Sequence, residues 1–303
     1  MGYIGLDIGG TNVRYAYTNE INLEALNYHK RSFVKTGNPY SEVEENICNV
    51  IDMAPGDVDG ISISLAAIME RNTGKVKIWP NNPCWNHYQL LRHISDRYSA
   101  PIVIEDDANC GAIGEYYSLS SFTKNMAYIT IGTGIGCGLI LNGSLFIGEN
   151  GLAGELGHVW IDKQDNESIC SCGNKGCFQS MASGLSVLKG YNTVAKERLE
   201  SLEHVYEQYM CNEPNAVQCL SNMINHITMV IYNLAICLDI TLFIIGGGAS
   251  NMGADFISNI ESKVNNRLKP FERDITIKQA QLRDFCGVNG ALQLLKKKYF
   301  DKE

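Results

Sequence analysis

The sequence predicts an α/β protein built from two similar halves. Three observations predict it: two strand–glycine turn–strand segments of like pattern, an apolar strand that runs into three glycines, and amphipathic helices between and after them. Residues 3–17 read as an apolar strand, a Gly-Gly-Thr turn and a second strand of alternating character. Residues 126–141 repeat this around Gly132-Thr-Gly-Ile-Gly136. A recurrence about 125 residues apart suggests a duplicated architecture with one glycine hairpin in each half. Two unrelated hairpins would look the same locally.

Further strands are expected at 60–65, 101–105 and 241–245. The clearest helix is 216–238, where Val217, Leu220, Ile224, Ile227, Ile231, Leu234 and Leu238 recur every three or four positions. Other helices are expected after Asn109, around 185–208, at 252–268 and at 290–298. No low-complexity linker separates the halves. The expected division is therefore 1–105 plus 288–303 as a smaller lobe and 106–287 as a larger one, with short hinges near 105 and 287.

A chain of 303 residues, 45% apolar and 19% charged, is large enough to bury two cores. Its net charge of −8, without a block of Lys or Arg, argues against nucleic acid as the main ligand, because phosphate-backbone affinity needs a basic face. The longest oily run, 236–245, is interrupted by Asp239, so no membrane span is expected. The N-terminus opens directly as a strand rather than as a signal segment. Eleven cysteines without a signal read as reduced thiols in the cytoplasm.

Four motifs lie where strands end. Asp7-Ile-Gly9-Gly10-Thr11 and Gly132-Thr133-Gly134 can bring backbone N–H groups against an anion, because glycine turns tightly and has no Cβ. Asp7 can also reach magnesium, which prefers oxygen ligands. Either turn also serves a plain hairpin. Gly246-Gly247-Gly248 leaves room beside a strand for a nucleotide. Ile104-Glu-Asp106-Asp107-Ala-Asn109 sets carboxylates at a helix start. There they stay ionised beside the macrodipole, or simply cap the helix. Phosphoryl transfer needs a positioned carboxylate more than a strong base.

The fifth motif is Cys170-Ser-Cys172-Gly-Asn-Lys-Gly-Cys177 with His158 upstream. Three thiolates and one imidazole make a closed tetrahedral set for structural zinc, in a loop spanning 158–177. Cys48, Cys84, Cys110, Cys137, Cys211, Cys219, Cys237 and Cys286 are scattered and read as small buried hydrophobes.

Together with Gly154-Glu-Leu-Gly-His158, these residues resemble the ROK family of repressors, open reading frames and sugar kinases, from Tyr3 to the C-terminal helix. The resemblance implies a two-lobed fold of the actin, hexokinase and Hsp70 ATPase (ribonuclease H-like) type, with the active site in the cleft. It implies an ATP- and magnesium-dependent kinase acting on a hexose or hexose derivative at the 6-hydroxyl, assembled as a homodimer. Asp107 falls where the family has its catalytic base. Asn81, Asp106, Glu155, His158 and Gln179 fall where it contacts sugar. Asp7, Gly9, Gly10, Thr11, Gly132, Thr133 and Gly134 would serve the phosphates and magnesium, and Gly247 and Gly248 the nucleotide. One imidazole nitrogen of His158 would hold zinc while the other faces the sugar.

Three departures stand out. The family usually carries Asn-Asp where this chain has Asp106-Asp107, Glu where it has Gln179, and often Pro-Gly where it has Ala66-Ala67. The first two swap a charge between neighbouring sugar contacts and imply an altered preference among hexoses, with glucose, allose, mannose, N-acetylmannosamine and glucosides open. A sugar-sensing repressor and a catalytically silent sugar-binding protein are the rival classes. With the first strand expected from residue 3, no DNA-binding domain is expected in front of it.

Overall fold

The computed structural model describes residues 2–9, 12–19, 26–32, 39–70, 72–79, 83–121, 123–162 and 168–300. In chain order the elements are β1 (Gly2–Ile8), β2 (Asn12–Thr18), β3 (Asn27–Ser32), α1 (Pro39–Asp52), β4 (Val58–Leu65), β5 (Ile68–Glu70), β6 (Lys75–Ile78), α2 (Leu90–Arg97), β7 (Ile102–Asp106), α3 (Asp107–Ser118), β8 (Met126–Ile131), β9 (Ile135–Leu141), β10 (Ser144–Phe146), α4 (Phe178–Ala182), α5 (Gly184–Val194), α6 (Leu202–Met210), α7 (Pro214–Leu238), β11 (Leu242–Gly246), α8 (Ala254–Leu268), β12 (Thr276–Gln279) and α9 (Cys286–Tyr299).

The duplicated pattern is real at the level of topology. One five-stranded sheet runs β3-β2-β1-β4-β7 and the other β10-β9-β8-β11-β12. In each, the glycine hairpin is antiparallel (β1 with β2, β8 with β9), and two further strands continue in parallel from its first strand. Each glycine hairpin therefore sits at the same place in its own sheet.

The chain divides into two compact units, Met1–Ser120 with Leu145–Ala153 and Asp284–Glu303, and Ser121–Ser144 with Gly154–Arg283. The expected boundary at 105 falls elsewhere, because α3 packs face to face with α9 of the same unit. Gly114 on α3 and Gly290 on α9 make that contact close enough that a Cβ on Gly290 would lie 1.7 Å from the Cys110 carbonyl oxygen.

In the first unit, β1 sends Ile4, Leu6 and Ile8 into one core, joined by Ile61, Ile63 and Leu65 of β4 and by Trp79 and Trp85. Tyr3 alternates to the other face and packs with Val288, Leu292 and Leu295 of α9. The core of the second unit is built from β8, β9 and β11 against α7 and α8, with Leu220, Ile224, Ile227 and Ile231 forming the buried stripe of α7. The single helix expected around 185–208 is two. Asn192 receives Leu199 N–H and donates to the Leu199 carbonyl, at 2.8 and 2.9 Å, and Ser201 then caps α6. Cys211 and Cys237 are exposed rather than buried, a correction to the cysteine reading, while Cys110 and Cys137 do lie in the interior. Among the described residues no helix is long and apolar enough to cross a membrane.

Candidate active-site residues

In the first unit, three parallel strands bring polar residues into register. Because Ile8 and Leu6 face the core, Asp7 faces away from it, and Ser64 alternates in the same way between Ile63 and Leu65. The ladder pairs Asp7 with Ser64 and Ser64 with Glu105. Ser64 Oγ donates to Asp7 Oδ1 at 2.7 Å. Arg14 lies 3.4 Å from Asp7 Oδ2 and 3.3 Å from Asp284. The Asp7 side chain is only 13% exposed. Burial pushes its carboxyl up, against the lowering pull of the Ser64 hydrogen bond and of Arg14. A carboxylate held rigidly in such surroundings is a suitable oxygen donor for a hard divalent cation, so Asp7 fits magnesium. Above it, Gly287 of α9 leaves the space this arrangement needs, since a Cβ there would lie 2.7 Å from Asp7 Oδ1 and 2.9 Å from Ser64 Oγ.

Where β7 passes into α3, the carboxylates separate by role. Asp106 is the N-cap, its Oδ1 accepting from the N–H groups of Ala108 and Asn109 at 3.0 and 3.3 Å. Buried Glu105 accepts from the Asp106 N–H and from Asn109 Nδ2, each at 3.0 Å. Capping therefore falls to Asp106, and Asp107 is the first helical residue, half-buried at the positive end of the helix. Asparagine would cap as well as aspartate. The exchange at residue 106 thus leaves the start of α3 intact and alters only its other side-chain atom.

In the second unit, the Gly132 N–H donates to the Gly134 carbonyl at 2.9 Å, which closes the β8–β9 turn and leaves Thr133 exposed at its tip. Gly247 takes φ 73° and lies so close to β8 that a Cβ would meet the Ile131 carbonyl oxygen at 2.6 Å. Close strand packing is thus one reason for that glycine, and Gly248 opens the short 3₁₀ turn that follows. Gly10, Thr11 and Asn81 lie outside the described residues, and Gly9 accompanies β1.

The cysteine cluster is assembled as its spacing predicts. His158 Nδ1 is 3.4 Å from Cys170 Sγ, Cys172 Sγ is 3.7 Å from Cys177 Sγ, and the four ligand atoms lie within 4.8 Å of one another. Tetrahedral ligands at ordinary zinc–sulfur and zinc–nitrogen distances are about 3.6–3.8 Å apart, so the set fits zinc. Burial raises the Cys170 thiol, but hydrogen bonds from the Cys172 N–H, Gln179, the Cys172 thiol and His158 outweigh it and bring the group down to about 6. Burial and the adjoining thiols push Cys177 up. A divalent cation would relieve that conflict by holding the sulfurs as thiolates. The opposite ring atom, His158 Nε2, faces Glu155 at 3.9 Å. Burial raises the Glu155 carboxyl, with His158 acting against it.

Gln179, at the head of α4, uses both ends of its amide within the protein. Nε2 donates to Cys170 Sγ at 3.2 Å and to Ser171 Oγ at 3.0 Å, while Oε1 accepts from the Ile135 N–H at 3.4 Å. Gly157 permits this crowding, because a Cβ would lie 2.3 Å from the Ile135 carbonyl oxygen and 3.1 Å from Gln179 Oε1. Sequence reasoning missed Ser64, Arg14, Asp284 and Gly287. A signal for Ser64 was present: a serine alternating with isoleucine and leucine in a buried strand needs a polar partner on the opposite face. Nothing local marks Gly287.

Residues 3–298 match the model of the ROK family. The chain belongs to that family. An N-acetyl-D-glucosamine kinase of Haemophilus influenzae is 32% identical over 96% of this chain and 98% of its own. A xylose repressor of Bacillus spizizenii is 28% identical over 89% of this chain and 70% of its own. The solved ROK glucokinase of Streptomyces griseus, in complex with glucose and AMPPNP, superposes with a TM-score of 0.81 at 26% identity, over 98% of this chain and all of that one. This ROK chain thus has the actin/hexokinase-type α/β fold that its motifs imply.

Proposed function

We propose that this chain is an ATP-dependent sugar kinase that phosphorylates a hexose or hexose derivative at its 6-hydroxyl. One observation carries the reading: the N-acetyl-D-glucosamine kinase relative is similar along essentially its whole length. The geometry within each unit supports it. Asp107, the first residue of α3 after the N-cap Asp106, orients the attacking hydroxyl and receives its proton. The hydroxyl oxygen forms a bond to the γ-phosphorus, and the bond to the departing ADP oxygen breaks. Glu155 and His158 bind sugar hydroxyls, with the imidazole locked by the cysteine cluster. Asp7 holds magnesium, which when bound neutralises phosphate charge. Gly132, Thr133 and Gly134, with Gly9, Gly10 and Thr11, receive the phosphates, and Gly247 and Gly248 lie by the nucleotide.

An ADP-release assay over a panel of sugars with ATP and magnesium tests the function. The panel includes glucose, allose, mannose, N-acetylmannosamine and N-acetylglucosamine. Turnover of at least one sugar is expected, and glucose is not expected to be the best. A preference for glucose by two orders of magnitude would defeat the altered-specificity reading, and ADP release with no sugar at all would defeat the kinase reading. The repressor reading has a homologue behind it, but a net charge of −8 opposes operator binding. A salt-sensitive gel shift would restore it. Light scattering on the purified chain tests the expected homodimer.

Two further results are expected. Gly287→Ala forces a methyl group against the Asp7 carboxylate, and displacement of such a group by an ångström costs on the order of 10²-fold. The KM for magnesium–ATP should rise by about 10-fold or more, while the affinity for sugar changes little. An unchanged KM would remove Asp7 from the nucleotide site. Elemental analysis should find one zinc per chain, held by His158, Cys170, Cys172 and Cys177. Cys177→Ala should lose that zinc and melt at least about 5 °C lower. A folded wild-type chain without zinc would refute the metal site.

A further inference from the structure

We propose that Gln179 is a positioning residue that ties the cysteine cluster to the β8–β9 glycine turn, by donating to the Cys170 sulfur through one end of its amide and accepting from the Ile135 N–H through the other. The inference deepens the reading above and rests on the metal being bound. It follows from three contacts that a single side chain makes to two separate segments: Cys170 and Ser171 in the metal loop, and Ile135 at the first residue of β9.

The orientation of the amide is determined by its partners. A backbone N–H can only donate, so the atom facing Ile135 must be the oxygen. The nitrogen then faces Cys170 Sγ at 3.2 Å, where a metal-bound thiolate can only accept. Both demands are met by one orientation and neither by its flip. The Ser171 hydroxyl, 3.0 Å away, takes the second amide hydrogen.

Two consequences follow for the site. A hydrogen bond to a coordinated thiolate withdraws charge from the sulfur and fixes its direction, as outer partners of metal ligands generally do. At the same time the turn carrying Thr133 is held from behind by the Gln179 oxygen, which also sits 3.2 Å from where a Cβ on Gly134 would project. Gln179 therefore holds the metal loop and the turn in a common register, within one unit and through one side chain. A glutamate of the same length would keep the acceptor for Ile135 but set a carboxylate against the Cys170 sulfur. A methionine would lose both.

The test uses full-length Gln179→Glu and Gln179→Met beside wild type. Zinc affinity is read by competition with a chromophoric chelator, and the sulfur-to-metal charge-transfer band is read after cobalt(II) is exchanged for zinc. Both variants are expected to bind zinc about 10- to 100-fold more weakly. Their cobalt charge-transfer bands should move to lower energy, because the sulfur has lost its hydrogen bond. Gln179→Met is expected in addition to raise the KM for ATP several-fold, whereas Gln179→Glu should not. Wild-type zinc at one per chain with unchanged zinc affinity and cobalt spectrum in both variants overturns this inference alone. Absence of zinc from the wild-type chain overturns it together with the metal site. The spectral shift separates a bond to the sulfur from a general loosening of the loop, which would not move the band in a fixed direction.

Discussion

Asp107→Asn is expected to lower turnover by about 10²- to 10⁴-fold, the range typical for removal of a positioned general base. The substitution keeps the size of the side chain and its capacity to hydrogen-bond a hydroxyl, so sugar affinity should stay within a few-fold of wild type. It should also leave the fold alone. Asp106, not Asp107, caps α3, and the loss of one anion from the first turn costs under about 1 kcal/mol. Steady-state kinetics together with isothermal titration of the sugar and a melting curve distinguish the outcomes. Phosphorylation at near wild-type rate would remove Asp107 from the role. A collapse in melting temperature would mean that its place in the helix, rather than its chemistry, was being measured.

Gly290→Ala is expected to have the largest effect on stability of any glycine-to-alanine change among the described residues. Its Cβ would lie 1.7 Å from the Cys110 carbonyl oxygen and 2.9 Å from the Gly114 nitrogen. Both are backbone atoms, so no side-chain rotation can relieve the clash, and α3 and α9 must move apart. Overpacking of this kind costs about 3 kcal/mol or more, or roughly 6–12 °C in melting temperature for a chain of this class. Lys297→Ala, on the exposed side of the same helix, serves as the control and should lie within about 0.5 kcal/mol of wild type. A Gly290→Ala chain that melts within 2 °C of wild type would show that the two helices do not approach as closely as described. Because α9 also carries Gly287 over Asp7, a surviving variant should bind magnesium–ATP poorly.

Much of the architecture was legible because its causes are local. The stripe of α7 is written in the spacing of Leu220, Ile224, Ile227 and Ile231, all of which are buried. The two glycine hairpins were readable from strand–turn–strand pattern, and their matching places in two sheets of the same order confirm the duplication. The grouping of Cys170, Cys172 and Cys177 with His158 was readable because the three cysteines lie close together in sequence, and their ligand atoms lie within 4.8 Å of one another and of that of His158. The short elements were less legible. The helix expected around 185–208 failed because a side chain, Asn192, binds the backbone of Leu199 and interrupts it. Periodicity carries no mark of such a break.

Pattern along the chain was enough for the class of fold, the positions of the glycine turns, the carboxylates at the head of α3 and the grouping of His158 with Cys170, Cys172 and Cys177. Packing was needed to show that α3 joins the first unit through α9, that Ser64 supports Asp7 across 57 residues, and that Gln179 reaches Ile135 across 44. The physical reason is the range of the interactions. Turns, helical stripes and ligand spacing are settled by neighbours along the chain, whereas a hydrogen bond between distant segments exists only after packing has brought their backbones together.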